Sequence, residues 1–296
     1  MSSAPPQRAP ITRERVLRAA AQLGALGPDR ESVPRLLAAL CDAATDARTI
    51  AQLVGRDPSI SARVLRVANS PYYGQTRTVA TIDRACLLLG TDAVRGIAAA
   101  ACLDRTMSRT AEGSIRASAL MDHSLATAVA AEALARDLHP RCAGEAFIGG
   151  LLHNLGVPIQ LRIDPQGVAA MSALAHGAPD LDIRALEARC ASIGHEECAA
   201  LVFEAWGLPQ ALVDAARHHH DPFTAQTPYC ELAGIEHLAA RIALASGHAF
   251  GLESAPRDPP DEAMQRLGFE PGRLDALVAE VPRRTQELRS ALRLAN

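Results

Sequence analysis

The side chains best suited to chemistry are histidines in the second half of the chain: His123, His153, His195 and the run His218-His219-His220. Imidazole exchanges a proton near neutral pH and, when neutral, offers a lone pair that suits zinc, manganese or iron. His153 lies in Gly149-Gly150-Leu151-Leu152-His153-Asn154-Leu155-Gly156, an apolar run whose glycines permit close helix packing, so its ring is expected in the interior. Two uses are open for such a set. Either each ring is hydrogen-bonded separately within the core, or rings from separate helices converge on one site, as ligands do inside helical bundles. Burying several unpaired imidazoles is costly, which keeps the shared site level with the separate one.

Helices have to position these rings. Hydrophobic residues make up 48% of the 296 but aromatics only 3%, so the core must be built from Ala, Leu, Val and Ile. Ala and Leu are the best helix formers, and an all-α fold is the expectation. All 30 basic residues are arginine, which we attribute to coding bias, and the net charge of −3 carries no electrostatic footprint for nucleic acid. Seven cysteines, none in a C-x-x-C pair, read as reduced core thiols. Met1 to Pro10 is polar and no apolar run approaches a spanning length, so a soluble, cytoplasmic protein with no membrane partner is expected.

The expected organisation is a tail and one helix over 1–29, a main body over 30–250, and a linker with C-terminal helices over 251–296. The first helix runs from Ile11 to Leu26 and is stopped by Gly27-Pro28. In the body, 30–108 reads as a first helical subdomain, with helices near 33–43, 47–54, 59–68 and 82–89 and a fifth capped by Thr91. Residues 114–250 read as a second bundle, with helices near 115–137, 143–155, 167–176, 182–206, 209–220 and 229–247. Prolines in Gly251 to Asp261 mark a linker before Glu262 to Leu267 and Pro271 to Leu294.

Several strings carry a resemblance to a known family. In the first half they are Arg56-Asp57-Pro58, then Arg63 to Gly74 with its core Ala68-Asn69-Ser70-Pro71-Tyr72-Tyr73-Gly74, then Leu87-Leu88-Leu89-Gly90. In the second half they are Asp122-His123-Ser124-Leu125-Ala126, Gly150 to Gly156, His195 before Trp206-Gly207-Leu208-Pro209, and His218-His219-His220-Asp221-Pro222. Together these resemble the HDOD family, the output-domain branch of the HD phosphohydrolase superfamily, over roughly residues 30–250. The resemblance implies an all-α HDOD-type bundle in which a first-half subdomain packs on a distorted HD-like bundle. In catalytic HD proteins it implies divalent metal held by a first His, a His-Asp doublet and a later Asp, with bound water attacking a phosphate ester. Here the doublet is His153-Asn154 and Ala240 stands at the later position. Both carboxylates that would balance the metal's charge are missing.

The expected function is therefore that of a non-catalytic bacterial signal-transduction protein working through a ligand or through partner signalling proteins, with a homodimer as one form of partnering. The alternatives are a metal-dependent phosphohydrolase acting on a nucleotide or phosphate ester, and a His-ligated metal or redox sensor. The cofactor expectation runs from none to a weakly held Zn, Mn or Fe on His123, His153, His195 and His219 or His220. Asn69 is expected to cap a helix, with Tyr72 and Tyr73 wedged at a subdomain junction or forming a partner surface. Trp206 is read as packing at a helix end, and Arg273, Arg283, Arg284, Arg289 and Arg293 as a solvated helix face.

Overall fold

A computed structural model describes residues 11–24, 32–70, 78–107, 115–178, 181–191, 193–223, 230–253 and 261–292. The described residues contain helices and no strand, as the Ala- and Leu-rich composition requires. The first half holds α1 (Arg13–Gly24), α2 (Ser32–Cys41), α3 (Ala47–Gly55), α4 (Pro58–Ala68), α5 (Ile82–Leu89) and α6 (Thr91–Met107). Asp46 caps α3 by accepting from the Thr49 amide, and Asp57 caps α4 ahead of Pro58, whose missing N–H costs nothing at that position. Gly90, at φ 86°, ends α5 and also opens α6, because its carbonyl accepts from the Val94 amide. Thr91 is thus the first helical residue and not the cap expected of it.

The small side chains of α6 let neighbouring helices close around it, and α2, α3, α4 and α5 all pack against it. Arg95 on α6 is only 6% exposed and serves the C-terminal end of α2. Its guanidinium donates to the carbonyls of Leu40 (3.0 Å) and Asp42, which the end of α2 leaves without internal partners, and to that of Thr45 in the turn before α3.

The second half holds α7 (Ala117–Leu138), α8 (Ala143–Leu152), α9 (Gly156–Ile163), α10 (Pro165–Gly177), α11 (Ile183–Cys190), α12 (His195–Trp206), α13 (Gln210–His218) and α14 (Cys230–Ala245). α15 (Asp261–Leu267) and α16 (Pro271–Leu292) follow. α7 is the axis, covered by α8, α14 and α16, while α6 joins the halves by packing on α7 and α8.

Three expectations are corrected. The helix foreseen over 182–206 is two helices, α11 and α12, with Ala191 and Gly194 extended between them. The helix foreseen over 143–155 stops at Leu152, and a separate α9 begins at Gly156. Of the arginines of α16, Arg284 and Arg289 are engaged within the chain instead of lying on a solvated face, whereas Arg273 and Arg283 keep exposed side chains. Arg284 pairs with Glu132 at 3.0 Å, Arg289 with Asp122 at 2.7 Å and Arg273 with Asp137 at 2.7 Å, all three carboxylates on α7. Arg283 pairs with Glu287 along its own helix, and Arg293 lies outside the described residues. Of the seven cysteines, all free, Cys41, Cys86, Cys102 and Cys198 are buried, whereas Cys142, Cys190 and Cys230 are only half-buried.

Candidate functional site

The breaks between helices create the site. His123 sits mid-way along α7, His153 is the first residue beyond α8, His195 opens α12, and His219 and His220 follow the end of α13. Four of the five rings are fully buried and the fifth, His220, is partly exposed, with 19% of its side chain open to solvent. Two glycines of the apolar run permit the convergence. A Cβ on Gly150 would lie 2.9 Å from the Thr127 carbonyl of α7, and one on Gly156 would lie 1.8 Å from the carbonyl oxygen of His195. Only glycine lets α8 lie so close on α7 and α9 abut the start of α12.

The rings form a chain of neighbours. Centroids are 5.3 Å apart for His123 and His153, 5.2 Å for His153 and His219, 5.2 Å for His195 and His219, and 4.3 Å for His219 and His220. Four rings have Nδ1 against an acceptor: His123 on the His248 carbonyl (2.9 Å), His153 on the Gly150 carbonyl (2.7 Å), His219 on the Ala216 carbonyl (2.8 Å) and His195 on the Glu187 carboxylate (2.9 Å). Each Nδ1 must therefore carry the proton, which leaves each Nε2 of a neutral ring as a bare lone pair.

Those lone pairs face one another. His195 Nε2 lies 3.2 Å from both His219 Nε2 and His220 Nε2, and the Nε2 atoms of His123 and His153 are buried without a hydrogen-bond partner among the described residues. One proton on His195 satisfies one of the two short pairs and leaves the other rings unmatched. The donor set fits a cation: His195, His219 and His220 each offer a ligand atom within 4.8 Å of the others. An imidazole that donates its outer N–H to a carboxylate, as His195 does to Glu187, is the usual support of a metal ligand.

Two carboxylates bear on the rings. Glu187 on α11 accepts from the backbone N–H and Nδ1 of His195 and from Gln160 Nε2, at 2.7, 2.9 and 2.6 Å. Burial pushes the Glu187 carboxyl up, but His195 and these donors outweigh it and hold its pKa below the ordinary value. For His195 burial acts downward, and Glu187 reverses it to a net rise. Burial drives the His123 pKa down to about 4, and burial together with neighbouring charges lowers those of His153, His219 and His220 well below the ordinary imidazole value. The second carboxylate, Glu253, is 9% exposed, with Oε1 3.3 Å from His220 Nε2 and Oε2 3.8 Å from His123 Nε2. Burial raises its pKa to about 7.

Five of the six histidines singled out in the sequence are thus brought together, and the sixth, His218, is half-buried at the end of α13. Asn154, 1% exposed, has neither amide atom hydrogen-bonded among the described residues, and Ala240 is buried on α14. Glu187, Glu253, His237 and His248 escaped sequence reasoning. His237 donates through Nδ1 to the His219 carbonyl at 2.8 Å, and His248 supplies the carbonyl that orients His123. Glu253 lay in a segment read as linker. The available signal was the apolar pair Phe250 and Leu252, which anchors that segment in the core.

A model of the HDOD domain matches residues 26–222, more than half of the sequence. The chain belongs to the HDOD family. Its fold is that of solved HDOD-type proteins. It resembles a Marinobacter aquaeolei VT8 protein carrying a signal-transduction name, with TM-score 0.75, 21% identity, and coverage of 95% of this chain and 65% of that one. It also resembles an HDOD domain protein with unknown function from Geobacter sulfurreducens, with TM-score 0.67, 21% identity and coverage of 97% and 93%. A third, from Shewanella amazonensis SB2B and carrying a phosphohydrolase name, has TM-score 0.67, 23% identity and coverage of 95% and 98%. In sequence, 173 residues are 21% identical to an uncharacterized protein of Treponema pallidum (strain Nichols), and the match takes up 58% of this chain and 33% of that protein. The chain thus spans about a third of that curated relative's length. His237, His248, Glu253 and α16 all lie beyond the residues matched by the HDOD domain.

The remaining features of this HDOD chain are less central. Asn69 closes α4 by donating to the Leu65 carbonyl at 2.7 Å, and it exchanges hydrogen bonds with both backbone groups of Val79 at 2.8 Å. Tyr72 and Tyr73 lie outside the described residues. Trp206 is 9% exposed, and it borders a cleft of about 960 Å³ that Arg18, Arg35 and Arg162 also line. None of the cleft's lining residues belongs to the histidine centre. No helix among the described residues is long and apolar enough to cross a membrane.

Proposed function

We propose that this HDOD protein is a non-catalytic regulatory module, in which a ligand at the buried histidine centre or a partner signalling protein changes the surface the bundle presents. The observation that carries this reading is Asn154. It follows His153 directly, is buried, and has no hydrogen-bond partner for either amide atom among the described residues. A neutral amide supplies no anion to balance a hydrolytic metal pair or to take a proton from attacking water. The Ala240 methyl adds nothing at the later position. The signal-transduction name of the Marinobacter neighbour agrees with this reading, and the phosphohydrolase name of the Shewanella neighbour marks its rival.

The test is turnover. Protein loaded in turn with Zn(II), Mn(II) and Fe(II) is assayed with p-nitrophenyl phosphate, bis(p-nitrophenyl) phosphate and a set of nucleotides, beside the His153→Ala variant. Wild type and variant are expected to give the same background rate. Metal-dependent turnover that His153→Ala abolishes would overturn the reading and favour a rearranged phosphohydrolase.

A further inference from the structure

We infer that Glu253 completes a mononuclear site for a divalent first-row cation together with His195, His219 and His220. This deepens the regulatory reading and rests on it in one respect: the ion is taken as a structural or signalling ion and not as a reaction centre.

Spacing is the first support. Zinc–nitrogen bonds of about 2.0–2.1 Å place tetrahedral ligand atoms about 3.3–3.4 Å apart. His195 Nε2 is 3.2 Å from His219 Nε2 and from His220 Nε2, and Glu253 Oε1 is 3.3 Å from His220 Nε2. The three histidine ligand atoms lie within 4.8 Å of one another, and the His195–His219 distance separates two atoms that hydrogen bonding elsewhere has left as lone pairs; Glu253 stands outside that trio, against His220, and reaches the ion by turning about its own side chain.

Charge is the second support. A divalent ion among three neutral imidazoles needs two negative charges to be neutral in a dry interior, and an HD site would take them from positions 154 and 240. Here Glu253 supplies one from within the set, and Glu187 supplies the other from behind His195, 2.9 Å from its Nδ1. Both acids are almost wholly buried. The third support is placement: Phe250 and Leu252, at 3% and 2% exposure, fix the backbone beside Glu253, and the Phe250 ring lies 5.0 Å from that of His123. The segment after α14 is thereby folded over the centre, with its carboxylate on the rings. Three imidazoles with one carboxylate suit a borderline cation such as zinc, iron or cobalt and disfavour calcium or magnesium.

The test uses full-length protein freed of metal by chelation, titrated with Co(II) alone and then Zn(II) alone. Wild type is expected to bind one equivalent of Co(II), with visible absorption of the four-coordinate kind that Zn(II) displaces. Glu253→Gln is expected to weaken binding at least tenfold, while its metal-free form keeps wild-type helical circular dichroism and thermal stability. Glu253→Asp retains the charge with a shorter reach, and is expected to bind more weakly than wild type with shifted bands. It decides the matter should Glu253→Gln not fold. Absence of binding by folded wild type, or wild-type affinity and spectrum in the folded variants, would overturn the site and leave the non-catalytic reading standing. Phosphate-ester turnover by the loaded protein would overturn that reading and leave the site standing.

Discussion

Glu236 on α14 is buried at 1% exposure, with neither carboxylate oxygen hydrogen-bonded among the described residues. It is pressed against α8 so closely that a Cβ on Gly149 would lie 2.0 Å from its Oε1. Burial, with some help from Glu145, raises its pKa well above the ordinary carboxylate value. A carboxyl whose pKa rises on folding favours the folded state at low pH. That contribution is complete below the unfolded pKa and is lost as pH climbs toward the folded one. Glu236→Met, of similar volume, should therefore stabilise the protein by about 1–3 kcal/mol at neutral pH. It should also flatten the fall in stability between about pH 5 and pH 8, read from urea melts across that range. The histidines were legible in the sequence because their type and apolar surroundings announce them. Glu253 was not, because an acid in a proline-rich stretch carries no periodic signal and becomes a neighbour of His220 only through the fold.

Elements matter here mainly through their ends. His153, His195, His219 and His220 all stand at helix boundaries, and the division of 182–206 into α11 and α12 is what turns Glu187 toward the backbone and ring of His195. The cap at Asp57 ahead of Pro58 was readable from residue type, whereas that division was not. Residues 182–206 are apolar at helical spacing throughout, and the break is set by tertiary contacts of Glu187 and Gln160. A comparable tertiary device holds the first half together. Arg95→Ala leaves the Leu40, Asp42 and Thr45 carbonyls without their donor, and should cost about 3 kcal/mol in urea unfolding. A loss below about 1 kcal/mol would mean that water replaces the guanidinium there.

At the scale of the whole molecule, the HDOD fold packs two halves and a C-terminal helix together, with the polar centre inside the second half. α6 links the halves through α7 and α8, and α16 bridges α7 to α4. Arg289 of α16 holds Asp122, the residue beside His123, so the last helix is tied to the wall of the histidine centre. An all-α architecture was legible from composition and from the HDOD-like strings. The docking of α16 was not, because arginines on an amphipathic helix look alike whether they meet water or the carboxylates of another helix. The central claim is that His195, His219, His220 and Glu253 hold one ion inside a non-hydrolytic bundle. Its most direct test is anomalous diffraction on either side of the zinc absorption edge, from crystals grown with one equivalent of Zn(II). One peak enclosed by the Nε2 atoms of His195, His219 and His220 and by the Glu253 carboxylate is the predicted result. A peak held by His123 and His153 without Glu253, or no peak within the centre, would contradict it.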